Sequence, residues 1–246
     1  MIGVAPSLVL AGEGEPVMKL TWLGHAAFHL ELGGRSILID PFWTGNPKFP
    51  QGYEDRLAGV DAIVVTHGHE DHLGDTARLA KKYGATVVAQ YEVCMWVNGQ
   101  GVDKLQPMNT GGAVVEGGIR YVMVPAFHSS AIIRDGVPVT MGDPAGFVIQ
   151  ADGWSIYHAG DTALFSDMAL IQRLYRPRVG LIPIGDRFTM GPETAAIACN
   201  EFLDLELIVP IHWGTFDLLT GDPEDFRRRV TRGEVRIPEP GRTIEL

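Results

Sequence analysis

Past residue 16 the chain opens with three short apolar runs, residues 19–23, 27–32 and 36–39, separated by Gly24 and by Gly33-Gly34. Runs of this length between turn residues predict strands, and their close spacing predicts a meander. The period then changes. Residues 62–66 form a continuous apolar run of buried-strand length, 75–83 carry helical spacing, 85–89 are strand-like again and 91–97 read as a short helix. Residues 111–158 return to strands, at 121–124, 146–149 and 155–157 among others. The last third alternates once more, with helices predicted over 166–175, 192–203 and 223–230 and strands over 179–184 and 207–211. Two of those helices begin with proline, Pro192 and Pro223, and Asp222 supplies an N-cap.

A strand cluster followed by strand-helix units, occurring twice, predicts two mixed sheets packed face to face with helices outside, a four-layer αββα sandwich. Two stretches echo each other: residues 37–41 and 156–162 both run from a strand into an aspartate, Asp40 and Asp161. No Ser- or Pro-rich linker and no charge block divides the chain, so residues 17–246 are expected to form one domain behind a loosely ordered extension, 1–16. The apolar run 4–11 lacks a preceding Lys or Arg and is followed by Glu13 and Glu15, which is wrong for a signal peptide, and Met18 is an alternative start. No stretch reaches the 18 or more apolar residues of a membrane helix.

Composition narrows the class. At 246 residues, with 46% hydrophobic and 20% charged residues, the chain lies in the globular range. A formal charge of -10 removes the global attraction to phosphate backbones, so no nucleic-acid partner is expected. Cys94 and Cys199 have no CxxC spacing, which suggests neither a disulfide framework nor a thiolate metal site and fits the reducing cytoplasm.

The decisive segment is Thr66-His67-Gly68-His69-Glu70-Asp71-His72, directly after a buried strand and before a helix. From composition alone, three His and one Asp at these offsets arise about 0.0005 times per chain. In an extended turn His67 and His69 project to one side, while Asp71 and His72, a helical step further, face a point a few ångströms away. Two adjacent divalent ions fit that pattern. Imidazole and carboxylate suit Zn first, with Mn or Fe as alternatives. The ordinary alternative for any lone histidine is a satisfied core or surface side chain. His29, between Phe28 and Leu30, is expected to face solvent, and His158, three residues before Asp161, to be structural or to support a ligand. His25, after a glycine turn, is a candidate to line the site. Asp40 is expected to orient a ligand imidazole.

This segment resembles the HxHxDH motif of the metallo-β-lactamase superfamily, whose αββα fold is the one predicted above. The resemblance runs from Lys19 over nearly the whole chain. It implies that His67, His69 and His128 hold one metal, that Asp71, His72 and His212 hold a second, and that Asp161 bridges them. Residues 22–28, 39–42, 45–47 and 188–192 further resemble a bacterial and archaeal metal-dependent hydrolase family related to ascorbate-6-phosphate lactonase and N-acyl-phosphatidylethanolamine phospholipase D. Asp186, where a second glycine is expected, and Trp213, where a tyrosine is expected, depart from that pattern.

The expectation is therefore a binuclear metal hydrolase in which a metal-bridging hydroxide attacks an ester, lactone or phosphoester. Asp71 would also take or steer a proton, and His25 would assist as a catalytic residue. The loop 185–192 leaves a strand and enters a helix at Pro192, so Arg187 is the candidate to bind an anionic group on a small-molecule substrate. The competing expectation for Arg187 is an ion pair with Asp186. A non-hydrolytic di-iron redox centre, or a metal-stabilised binding protein, is the alternative for the whole chain, though no flavodoxin-like domain follows residue 246. A homo-oligomer is compatible with the sequence.

Overall fold

The computed structural model describes residues 17–246, so the expected extension 1–16 lies outside the described residues. The first half runs β1 (Lys19–Trp22), β2 (Phe28–Leu32), β3 (Arg35–Ile39), β4 (Ala62–Val65), α1 (Glu70–Leu73), α2 (Thr76–Tyr83), β5 (Thr86–Gln90), α3 (Tyr91–Asn98) and β6 (Leu105–Met108). The second contains β7 (Ala113–Glu116), β8 (Ile119–Pro125), the hairpin β9 (Ala131–Arg134) and β10 (Val137–Thr140), then β11 (Ala145–Ala151), β12 (Trp154–His158), α4 (Met168–Tyr175), β13 (Val179–Pro183), α5 (Pro192–Ile197), β14 (Leu207–Ile211), α6 (Pro223–Arg229) and β15 (Glu234–Val235). A final strand, β16 (Thr243–Glu245), returns to the first sheet and pairs with β1.

Two seven-stranded mixed sheets result, ordered β16-β1-β2-β3-β4-β5-β6 and β15-β14-β13-β12-β11-β8-β7. Each has an antiparallel part and a parallel part. In the first the change falls at β3, antiparallel to β2 and parallel to β4, and in the second at β12, antiparallel to β11 and parallel to β13. Asp40 follows β3 immediately and Asp161 stands three residues beyond β12, so the sequence echo marks the same topological point in each sheet. Ligands of open α/β sheets bind in crevices outside the carboxyl ends of the strands, where both aspartates stand.

The central strands β4, β5, β13 and β14 are buried on both faces, which is why they read as continuous apolar runs. Along β3 and β4, Ile37, Ile39, Ala62 and Val64 point between the sheets, against the core that Met123, Phe147, Ile156 and Leu181 share. Their neighbours Leu38, Ile63 and Val65 point outward to Leu79, Val93 and Val97 of α2 and α3. The second sheet repeats this, with Val148, Tyr157 and Ile208 against Met168, Ala195 and Phe226 of α4, α5 and α6.

Three expectations change. The helix expected over 192–203 is α5 followed by a π-helical turn, Ala198–Phe202. The hairpin β9-β10, turning on Asp135-Gly136 with both residues at positive φ, forms a small sheet of its own. His29 does not face solvent. It does point away from the inter-sheet core, but that face is covered, and its Nδ1 and Nε2 lie 2.9 Å from the Tyr53 hydroxyl and the Ser36 hydroxyl respectively.

Asp75, just before α2, ties this half together. Its carboxylate accepts from Trp43 N (3.1 Å), Thr44 N (2.7 Å), Thr44 Oγ1 (2.8 Å) and Arg78 Nε (2.9 Å). Burial pushes its pKa up, but these donors outweigh burial and hold it below the usual carboxylate range. A depressed folded-state pKa gives stability that is present above the unfolded value of about 3.9 and is lost as pH falls through the folded value. Asp75→Ala is therefore expected to lower unfolding free energy by about 2–3 kcal/mol at pH 7. The gap to wild type should shrink as pH falls below about 4. Urea titrations at both pH values would check this, and equal stabilities at pH 7 would remove Asp75 from the role.

Candidate metal centre

Six of the eight histidines and two aspartates converge at the carboxyl ends of the strands. β4 releases the chain at Thr66, His67 and His69 follow in extended backbone, and one helical turn, α1, swings Asp71 and His72 to the adjoining position. The second sheet contributes His128 from the loop after β8, Asp161 after β12 and His212 directly after β14. The ligand-capable atoms fall into three overlapping groups: His67, His69 and His128; His67, His72 and Asp161; and His25, Asp71, His72 and His212. In each group the atoms lie within 4.8 Å of one another.

Asp161 sits where the groups meet. Its Oδ2 is 3.0 Å from His212 Nε2, 3.3 Å from His72 Nε2, 3.5 Å from His128 Nε2 and 4.0 Å from His67 Nε2. On one side, His69 Nδ1 is 2.9 Å from His67 Nε2 and 3.3 Å from His128 Nε2. On the other, Asp71 Oδ2 is 3.0 Å from His25 Nε2 and 3.7 Å from His212 Nε2.

The supporting residues fix which nitrogen faces inward. Asp40 is fully buried and accepts from Thr66 N (2.8 Å), Thr66 Oγ1 (2.7 Å) and His72 Nδ1 (2.7 Å). With its proton held on Nδ1, His72 would turn an Nε2 lone pair to a bound metal. Because the Thr66 hydroxyl spends its hydrogen on Asp40, it accepts from His67 Nδ1 (3.0 Å), which turns the Nε2 lone pair of His67 inward as well. Thr66 escaped the sequence reading, and its only signal there was its place immediately before the motif.

His25 is fully buried. Its Nε2 donates to Asp71, its Nδ1 lies 3.0 Å from the Thr215 hydroxyl, and its backbone carbonyl accepts from His212 N (3.1 Å) and Trp22 Nε1 (2.9 Å). His158 is fully buried as well. Its ring bonds backbone groups, Ala26 O at 2.9 Å and Gly160 N at 3.0 Å, and so braces the neighbours of His25 and Asp161 without meeting a ligand side chain through a hydrogen bond.

Burial, with its histidine neighbours, pushes His25 down to about 4 and His67 well below the ordinary imidazole value. For His212 burial acts downward too, but Asp161 outweighs it and raises the group to about 9; Asp161 and Asp40 likewise hold His72 well above its ordinary value. Asp161 and Asp71 resist burial through these histidine contacts and lie well below the usual carboxylate range.

A metal fits this donor set. Asp161 Oδ1 and His72 Nε2 are buried without a hydrogen-bond partner, a costly arrangement for polar atoms. Nitrogen atoms around a tetrahedral Zn stand about 3.3 Å apart, close to the spacings within the His67, His69 and His128 group.

Arg187 lies on the exposed turn 186–189, 5.9 Å from the Phe188 ring centroid, and forms no ion pair with Asp186 among the described residues. Asp186, in the place of an expected glycine, has φ +67°. Trp213 stacks on Trp22 at 5.6 Å with Lys48 Nζ 4.0 Å from its ring centroid, so this departure packs behind the His212 loop.

Residues 35–213 match the beta-lactamase superfamily domain, the class that this sandwich and its His/Asp clusters define. A UPF0173 metal-dependent hydrolase of Methanopyrus kandleri is 47% identical over 232 residues, 93% of this chain and all of the relative. Another from Sinorhizobium medicae is 49% identical over 212 residues, 85% of this chain and 91% of the relative. The chain belongs to the UPF0173 metal-dependent hydrolases of the metallo-β-lactamase superfamily. The solved structure of Igni18, a metallo hydrolase from Ignicoccus hospitalis, superposes with TM-score 0.84 at 38% identity, covering 94% of this chain and 98% of that one. No described helix is long and apolar enough to cross a membrane.

The Asp40 network makes a test available. Asp40→Asn keeps the shape but weakens the hold on His72 Nδ1 and Thr66, and is expected to cut metal affinity by about 10–100-fold. Competition titration with a chromophoric chelator would measure it, and wild-type affinity in a folded Asn variant would show that His72 needs no such support.

Proposed function

We propose that the centre takes two divalent ions and that the protein hydrolyses an ester, lactone or phosphoester bond of a small molecule. The observation that carries this reading is the position of Asp161, one carboxylate oxygen within 4.0 Å of nitrogens from His67, His72, His128 and His212. His67, His69 and His128 would hold one ion, Asp71, His72 and His212 the other, and Asp161 would touch both. Zn suits the nitrogen-rich donors best, with Mn and Fe as alternatives. Bound there, the ions supply an activated water nucleophile near neutral pH and Lewis acidity at the electrophile.

The chain's own residues do the rest. Asp71 is half-buried whereas Asp40 and Asp161 are closed off, so it is the carboxylate of the cluster placed to take or steer a proton at the mouth. His25 acts through Asp71, holding Oδ2 at 3.0 Å and fixing the carboxylate's orientation. Arg187, exposed and without an ion pair among the described residues, is available to an anionic group on the substrate.

Elemental analysis after reconstitution with Zn or Mn should find about two ions per chain, since one tetrahedral ion needs four ligands and seven expected ones converge here. At most one ion under saturating metal would sink the binuclear assignment. Asp161→Ala should lose metal and hydrolysis of reporter esters together, because one carboxylate offsets the repulsion between both ions. Retention of both ions with unchanged turnover would show that Asp161 does not bridge.

A further inference from the structure

Phenylalanine has no polar atom, and its exposure on a protein surface goes against the hydrophobic effect. Of the ten phenylalanines, three are exposed: Phe127 at 61%, Phe188 at 51% and Phe216 at 42%. Each is tied to a candidate ligand along the chain or through a neighbouring residue. Phe127 precedes His128, Phe216 follows His212 by four residues, and Phe188 lies on the turn 186–189, just past Gly185, which backs onto His212.

The rings form two walls. On one side Phe127 pairs with Phe165, 5.0 Å between centroids. On the other Phe216 lies 6.3 Å from Phe42, and both rings are 5.7 Å from His25. The first wall is rigidly related to the chemistry through Thr162, the residue after Asp161. Its hydroxyl accepts from Phe127 N (3.0 Å), its carbonyl accepts from Met190 N (3.1 Å) at the end of the Phe188 turn, and Ala163 N donates to Phe127 O (3.1 Å). Sites that take small organic ligands combine such aromatic walls with a few convergent polar groups.

We infer that the substrate carries an apolar acyl or aryl group, seated on the Phe127 and Phe165 rings beside the Phe188 turn, while its scissile bond lies over the metal centre. This rests on the hydrolytic reading for the bond that is cut but not for the rim itself. For an ester the reaction balances as RCO–OR′ + H2O giving RCO2H + R′OH. The water oxygen joins the carbonyl carbon as the C–OR′ bond breaks. One water proton ends on the leaving oxygen and the other is released when the acid ionises.

Binding of ethylphosphonate and n-octylphosphonate to the Zn-loaded full chain, measured by calorimetry, tests the rim without turnover. Octylphosphonate should bind about tenfold more tightly, because its added methylenes leave water against the rings. That ratio should fall to about twofold in Phe127→Ser and Phe188→Ser, and stay at its wild-type value in Leu174→Ala, on the exposed face of α4. Equal affinities in wild type, no binding of either phosphonate, or a ratio that survives both Phe substitutions in folded, metal-loaded variants would overturn the proposal. So would Phe-dependent sedimentation with phosphatidylcholine vesicles in the absence of chain-length discrimination, which would assign the rings to a lipid surface. A parallel series of p-nitrophenyl acetate, butyrate and octanoate separates the two readings. Cleavage without chain-length preference removes the rim and keeps the hydrolase, whereas phosphonate discrimination without cleavage of any ester keeps the rim and removes ester hydrolysis.

Discussion

His25, Asp40, His67, His69, Asp71 and His72 come from the first sheet's side of the sandwich, and His128, Asp161 and His212 from the second, so the centre is only as constant as the spacing between the sheets. That spacing is set by the interdigitated side chains between them, where Ile37, Ile39 and Val64 meet Phe147, Ile156 and Leu181. Face-to-face sheets stand about 10 Å apart, and the loops beyond the strand ends have to close that distance to bring Asp161 Oδ2 among the imidazoles. A loss of packing in the middle of the sandwich would therefore be felt at the ligands.

The second constraint is electrostatic. Placing many imidazoles and carboxylates in a buried space is unfavourable unless each is oriented and compensated. Asp40 and Thr66 orient His72 and His67, the Trp22 and Lys48 stack braces the Trp213 loop, and His158 clamps the backbone beside His25 and Asp161. Burial holds His67 down whereas Asp161 draws His72 and His212 up, so rings that look alike in sequence stand in different electrostatic surroundings.

The motif was legible because metal chemistry demands particular residue types at particular offsets, and that demand survives in a linear string. The sandwich was legible for a related reason: strands buried on both faces must be apolar throughout, and the helices between them keep their own period. What stayed hidden depended on segments remote in sequence. Whether His29 is wet or dry depends on what covers the outer face of β2, and Tyr53, one of its partners, stands 24 residues away. The role of Thr66 needed Asp40, 26 residues back. Arg187 could be flagged as a cation but not as an unpaired one, since pairing with its neighbour Asp186 depends on the shape of the turn. The aromatic rim was invisible because a phenylalanine in a string of letters looks like core.

Three residues of the centre, His25, Asp40 and His212, hold the backbone at φ +57°, +43° and +56°. Among side-chain-bearing residues, Asn, Asp and His enter that region most readily, and β-branched residues are genuine outliers there. The alphabet open to these positions is therefore narrowed twice, once by what can ligate or orient and once by what can turn the chain. For anyone seeking to alter the centre's metal preference, Asp and Asn exchanges at His25 and His212 are conformationally open routes. A Val or Thr at either position meets a steric barrier before any question of coordination arises.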